Sequence, residues 1–222
     1  KPFGYDLQSS HSLNERLYSC FAEEDIFRID HFLAKETVLN MFTFRWGNTI
    51  WEPLWNRNYI DHVEILVAET GTVEGRMGYY DKATVVRDMV QNHLLQMLAL
   101  TAMEVPPYFK SDAIHDEKRK VFDSIRPITS KDVIYGQYDG YKTQTNSSTP
   151  TFAMVRLFID NWRWQGVPFY VMTGKALSKK LSTIKLVFKK VPQSIFGEET
   201  VDRPNVLKMR IQPNEQIILK QH

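Results

Sequence analysis

The segment RIDHFLAKETV, residues 28–38, sets one carboxylate beside two potential cations: Asp30, His31 and Lys35. Residues four apart on a helix share a face, so His31 and Lys35 could converge on one anion while Asp30 points elsewhere. The plain alternative is a solvated helix start with ordinary surface charge. A second group lies in RDMVQNHLL, where Asp88, Asn92 and His93 interrupt an apolar helical pattern. With Gln91 and Gln96 they crowd five polar side chains into nine residues, and buried polar groups need partners. A site accounts for them better than a core does, although a lone histidine in such a pattern is ordinarily a core residue. A neutral imidazole held by a carboxylate is the usual general base near neutral pH. Asp88 lies five residues from His93, about 140° around an ideal α-helix, which is a poor position for orienting the ring. A carboxylate from another element, such as Asp30, is better placed.

Two further groups carry charge. Glu74 sits in the loop VEGRMGYYD. Lys175, Lys179, Lys180, Lys185, Lys189 and Lys190 form a lysine cluster with no acid until Glu198. Lysines on a solvated sheet edge discourage pairing with other chains, which is one reading of Lys185, Lys189 and Lys190. Lys175 follows a glycine in TGKALSKK at a strand end, so Lys175 and Lys180 are better candidates for an anion such as phosphate. No His, Cys and carboxylate set has metal-ligand spacing, so no metal is expected. No Ser or Cys has an evident base beside it.

The elements that must position these groups follow from periodicity. Leu13, Leu17 and Phe21 at helical spacing predict a first helix in SSHSLNERLYSCF, with Ser or Asn as cap. AKETVLNMFTFRW predicts a second, with Val38, Leu39, Phe42 and Trp46 inward. DHVEILVAE alternates as a strand, and ETGTVEGRMGYYD is a glycine-punctuated loop. Residues 82–104 give the longest helical pattern, stopped by Pro106 and Pro107. DAIHDEKRKVFDSI is a shorter amphipathic helix, and VIYGQYDGY is strand-like. KTQTNSSTPT is a polar loop of the kind that moves. TFAMVRLFI, VPFYVMT, STIKLVFKKV, NVLKMRIQ and EQIILK then read as strands. Helices first and mainly strands afterwards predict an α+β fold: a large mixed, mainly antiparallel sheet with helices on one face. No Gly-rich fingerprint joins a strand to a helix, so no Rossmann domain is expected in this chain.

The chain has 222 residues, 43% of them hydrophobic and 24% charged, which is ordinary globular composition. A net charge of +2 gives no bulk reason to expect nucleic acid or membrane as a partner. The single cysteine, Cys20, fits a reducing, intracellular compartment. There is no apolar run long enough to span a bilayer.

Six ordered blocks, RIDHFLAKE, NTIWEPLWNRNYIDHV, VEGRMGYYD, RDMVQNHLLQMLAL…AME, FYVMTGKAL and MRIQPNE, closely resemble the glucose-6-phosphate dehydrogenases, from Lys1 to about residue 220. The resemblance implies that residues 1–222 are the family's substrate-binding and catalytic domain, without the preceding coenzyme domain and stopping before the C-terminal segment. It implies oxidation of glucose 6-phosphate to the 6-phospho-lactone with hydride transfer to NADP, in the oxidative pentose phosphate pathway. His93 matches the family's catalytic base and Asp30 the carboxylate that pairs with it. His31 and Lys35 match phosphate ligands, and Glu74 and Asp88 match residues that hold sugar hydroxyls. Lys175, Lys180 and Gln212 match further substrate-side positions, and Lys1 lies near both sugar and nicotinamide. The resemblance also implies a cytoplasmic homodimer paired through the sheet.

Three departures stand out. Phe32 replaces a tyrosine whose hydroxyl helps to bind phosphate, and Ala34 replaces a glycine. Met172 and Leu181 replace residues around a second, structural NADP in some eukaryotic members, although Arg210 would fit such a site. Two rival readings of the same residues are a sugar-phosphate binding protein without redox activity and a structural fragment that dimerises through its sheet.

Overall fold

The computed structural model describes residues 3–30, 32–33, 36–141, 147–193 and 203–221. Its elements are helices α1 (Leu7–Tyr18), α2 (Glu36–Trp46), α3 (Met77–Val85), α4 (Leu95–Ala102) and α5 (Ser111–Asp123), with a π-helical segment, Val86–Leu94, between α3 and α4. The strands are β1 (Ile60–Ala68), β2 (Val133–Gly136), β3 (Phe152–Phe158), β4 (Pro168–Gly174), β5 (Leu181–Phe188), β6 (Val206–Gln212) and β7 (Gln216–Lys220).

The strands form one seven-stranded sheet in the order β2-β3-β4-β1-β5-β6-β7. Only β1 and β4 run parallel, from Val63 opposite Phe169 to Ala68 opposite Gly174; the other neighbours are antiparallel. Alternation fixes which face is covered, because successive side chains point to opposite sides. Val63, Ile65 and Val67 are buried with Phe169, Val171, Ile184 and Leu186. Against that face lie Met89, Leu94, Met97 and Leu98 from the helical layer. The fold is α+β with a mixed, mainly antiparallel sheet.

Several expectations from periodicity need correction. In α1 no residue is buried, so its apolar spacing serves no core here, and Phe21 lies beyond the helix. Its cap is Asp6, whose Oδ1 accepts from Ser9 N–H at 2.8 Å while Ser9 Oγ accepts from Asp6 N–H at 3.0 Å, a reciprocal box. In α2 Leu39 is exposed, and Met41 joins Val38 and Phe42 in the core. The glycine-punctuated loop ends at Arg76, where α3 begins. Part of the polar loop, residues 142–146, lies outside the described residues. Lys185 belongs to an interior strand of the sheet, not an edge, and its Nζ donates to Glu64 Oε2 at 2.6 Å on β1.

The single long helix expected over 82–104 is in fact two α-helices joined by the π segment, with a break at Thr84. Thr84 has φ 59° and ψ 172°, a region almost reserved for glycine. Its hydroxyl accepts from Val86 N–H at 3.2 Å, which stitches the break to the π segment. The far end of this run is anchored differently. A helix leaves its last carbonyls without partners. Here Thr101 O accepts from the Trp55 indole at 2.8 Å and from Arg45 at 3.3 Å, and Ala102 O accepts from the Trp164 indole at 2.8 Å. Arg45 is fully buried, and its guanidinium also grips both carboxylate oxygens of Glu52, at 2.5 and 3.0 Å.

Two measurements check this account. Thr84→Gly should stabilise the protein by about 1 kcal/mol, since relief of a strained position (about 1–3 kcal/mol) outweighs the lost hydroxyl bond; a lower denaturation midpoint would show the conformation to be unstrained. On the open face of the sheet, His62 and Lys185 hold the Glu64 carboxyl down from 4.5 to about 2, hydrogen bonding to His62 being the larger cause. A depressed acid stabilises the fold above its unfolded value and loses that contribution as pH falls through the folded one. Glu64→Gln should therefore cost about 1–2 kcal/mol above pH ~5, after discounting for solvent, and nothing near pH ~2. A pH-independent difference in denaturant midpoints would contradict this.

Candidate active site

The π segment explains how Asp88 and His93 share a wall. Hydrogen bonds in a π-helix span five residues, so positions i and i+5 share a face much as i and i+4 do in an α-helix. The separation expected for an α-helix is thereby much reduced. Asp88, Met89, Asn92 and His93 all line a cavity of about 680 Å³ with Phe32, Glu69, Gly75, Arg76, Tyr79 and Lys175.

His93 is 7% exposed. Its Nδ1 lies 2.9 Å from Asp30 Oδ2. The carboxylate is itself fixed, because Asp30 Oδ1 accepts from the Phe32 N–H at 2.8 Å. Such a bond to the amide two residues on is the local turn that aspartate favours. The Phe32 ring, also buried, lies 4.7 Å from the imidazole at a 36° tilt. The imidazole is thus clamped by a carboxylate at one nitrogen and an aromatic face at its side. On α5, Lys118 lies near enough for the Asp30 charge to act on it; burial holds its ammonium below the usual lysine range, partly offset by Asp30. Asp88 in turn presses on two phenols. Burial pushes Tyr79 and Tyr80 upward, and the Asp88 charge adds to both shifts. A carboxylate-held imidazole facing a polar cavity can accept a proton from a bound hydroxyl.

The other sequence-derived candidates are placed unevenly. Asp88 and Lys175 line the cavity. Glu74 is exposed and accepts from the Thr72 hydroxyl at 2.7 Å, outside the lining. Lys180 is exposed just before β5, and Gln212 ends β6 opposite Ser182; neither lines the cavity. Lys1, His31 and Lys35 lie outside the described residues, as does Ala34. Glu69, Arg76 and Tyr79 line the cavity without having been singled out in the sequence. Glu69 follows β1 and is brought to Lys175 by strand pairing, for which a single sequence carries no signal. Among the described residues no cluster of three or more His, Cys, Asp or Glu could hold a metal ion.

Sheet, helical layer and clamped imidazole together form an α+β domain with a carboxylate-held imidazole on the wall of a polar cavity. Residues 42–222 match the family described as glucose-6-phosphate dehydrogenase, C-terminal domain, and residues 1–40 match its NAD binding domain. The chain belongs to the glucose-6-phosphate dehydrogenase family. It is 48% identical to glucose-6-phosphate 1-dehydrogenase of Borreliella burgdorferi, over 99% of this chain and 50% of that protein. It is 46% identical to the cytoplasmic glucose-6-phosphate 1-dehydrogenase 5 of Arabidopsis thaliana, over 99% and 43%. A solved glucose-6-phosphate dehydrogenase in complex with its substrate glucose-6-phosphate superposes with a TM-score of 0.92 at 40% identity, over 99% of this chain and 47% of that one. The Mycobacterium avium enzyme gives 0.92 at 38%, over 100% and 51%. The chain thus spans about half the length of the relatives it matches.

If Asp30 sets the imidazole, Asp30→Ala should release the Nδ1–H tautomer. Nitrogen-15 NMR of the His93 ring should show one tautomer in the wild type and a shift toward the other in the variant, with about 1–3 kcal/mol of stability lost. Unchanged ring shifts would mean that the imidazole is oriented by something else.

Proposed function

We propose that this chain carries the sugar-phosphate site and the general base of a glucose-6-phosphate dehydrogenase, which oxidises C1 of glucose 6-phosphate to the 6-phospho-lactone with NADP as hydride acceptor. The observation that carries this reading is the Asp30–His93 pair, 2.9 Å apart on the wall of a polar cavity. With Nδ1–H turned to Asp30, Nε2 is the basic nitrogen, suited to take the proton of the C1 hydroxyl. Asp30 then stabilises the imidazolium that forms and keeps its orientation, without itself becoming protonated. Asp88, a carboxylate on the cavity wall, is suited to accept from sugar hydroxyls. His31 and Lys35 are read as the phosphate ligands from their place beside Asp30 in the sequence and from the family resemblance. Roles for Lys1, Glu74, Lys180 and Gln212 rest on that resemblance alone.

A nicotinamide dinucleotide would supply the hydride acceptor for this oxidation. The described residues offer no Gly-rich strand-to-helix turn to cradle its pyrophosphate, so they do not by themselves fit that group. What these residues can do is orient the sugar and move the proton. NADP rather than NAD is inferred from the resemblance.

We also read the open face of the sheet as a homodimer interface. Leu66, Tyr170 and Met172 lie on it with Glu64 and Lys185, on the side away from the buried core. A cytoplasmic location is supported by relatives named as cytoplasmic. Among the described residues no helix is long and apolar enough to cross a membrane.

His93→Asn, in the protein as its gene encodes it, should keep glucose 6-phosphate binding and lower kcat by about 10²–10⁴-fold, the usual cost of losing a general base. An unchanged kcat would return His93 to the role of a core histidine.

A further inference from the structure

Lys189 and Lys190 take no part in the site already described. They follow β5, which lies between β1 and β6, so they do not guard a sheet edge as the sequence suggested. They line a second cavity, of about 740 Å³, at the opposite end of the sheet from Glu69 and Lys175. The nine residues of β1 separate the two ends, roughly 30 Å at about 3.3 Å per residue.

Two segments build most of this wall. The connection before β1 supplies Ile50, Trp51 and Tyr59, and the end of β5 supplies Phe188 with the two lysines. The backbone ties them together: Lys189 N–H donates to Tyr59 O at 2.7 Å, and Phe188 N–H donates to Asn205 O at 2.9 Å. Trp51 is held by stacking on Phe44, with ring centres 4.7 Å apart. Ile50 and Tyr59 remain exposed, so the hollow has apolar surface to gain from covering.

Charge and shape set the class of ligand. The described residues that line the cavity include two lysines and no carboxylate. Ammonium groups so placed attract an anion and can donate to it. Hollows of this size with apolar walls and few polar groups suit small organic molecules. Indole, phenol and phenyl side chains favour a flat ring as the apolar part.

We propose that this cavity is a binding site for a small aromatic anion, a planar apolar ring system carrying an acid group. The ring lies among Trp51, Tyr59 and Phe188, and the acid group meets Lys189 and Lys190. The site is separate from the cavity of His93, and the proposal stands without the sugar-phosphate reading.

Calorimetric titration of naphthalenesulfonate into the protein as its gene encodes it, repeated with neutral naphthol, tests this. Saturating glucose 6-phosphate should leave sulfonate affinity within about twofold, as two distant sites require. Lys189→Gln combined with Lys190→Gln should weaken the sulfonate by about fivefold or more and leave naphthol within about twofold. Ile50→Ser, at an exposed position, should weaken both probes by about threefold or more. Failure of the sulfonate to bind at about 1 mM would overturn the proposal. So would its displacement by glucose 6-phosphate, which would put the probe in the other cavity. A lysine variant that leaves sulfonate binding unchanged, or that weakens both probes alike, would show that the lysines do not read the charge. Wild-type affinity for both probes in Ile50→Ser would place them elsewhere, and either result rejects the site.

Discussion

The hydrogen bond between Asp30 and His93 is the constraint on which the site depends. It joins residues 63 positions apart in sequence. It also joins the segment that matches the family's NAD binding domain to the segment that matches its C-terminal domain. A carboxylate held by its own turn has few ways to point, and a buried imidazole has few ways to rotate. When two such groups meet at 2.9 Å, tautomer, ring orientation and the relation of two segments are set together. Phe32 completes the clamp by packing its ring against the imidazole.

The same cavity needs a second geometric device. An α-helix through residues 86–94 would have turned Asp88 away from His93, and the π segment brings both to one side. Insertions of this kind often mark functional sites, because they spend backbone regularity on side-chain placement. Thr84, in a conformation that favours glycine, stands where the regular helix gives way. The strained Thr84 and the π segment therefore stand next to the residues proposed to do chemistry, whereas the register shifts of the sheet lie at Ile60/His62 in β1 and Ser182/Thr183 in β5.

Much of the fold was legible because burial imposes simple periods. Val63, Ile65 and Val67 alternate because one face of β1 meets the helical layer. The same rule marked the other strands and the mixed α+β character. The contact between Asp30 and His93 was legible for a related reason: polar residues in an apolar helical pattern need partners, and a carboxylate from another element is what His93 meets. Other features carried no local signal. The sheet order puts β4 beside β1 across some hundred residues, so Glu69 could not be matched to Lys175, nor Lys185 be seen as an interior residue held by Glu64. The π segment left the apolar pattern almost unaltered, so ideal-helix angles misplaced Asp88. In α1 helical spacing was present without burial, since periodicity reports what a helix could bury and not whether anything lies against it.

Arg45, Trp55 and Trp164 give the helical run a fulcrum. They grip its last two carbonyls, and His93 stands roughly 12 Å up the same run, at about 1.5 Å per residue. Over that arm a tilt of about 5° carries the imidazole about 1 Å, a displacement that can cost about a hundredfold in a reaction that depends on alignment. The indoles and guanidinium do not line the cavity, yet they set the angle at which the lever stands. Substitutions at this remote end would therefore act on the proposed reaction through leverage, and stability measurements alone would miss their effect.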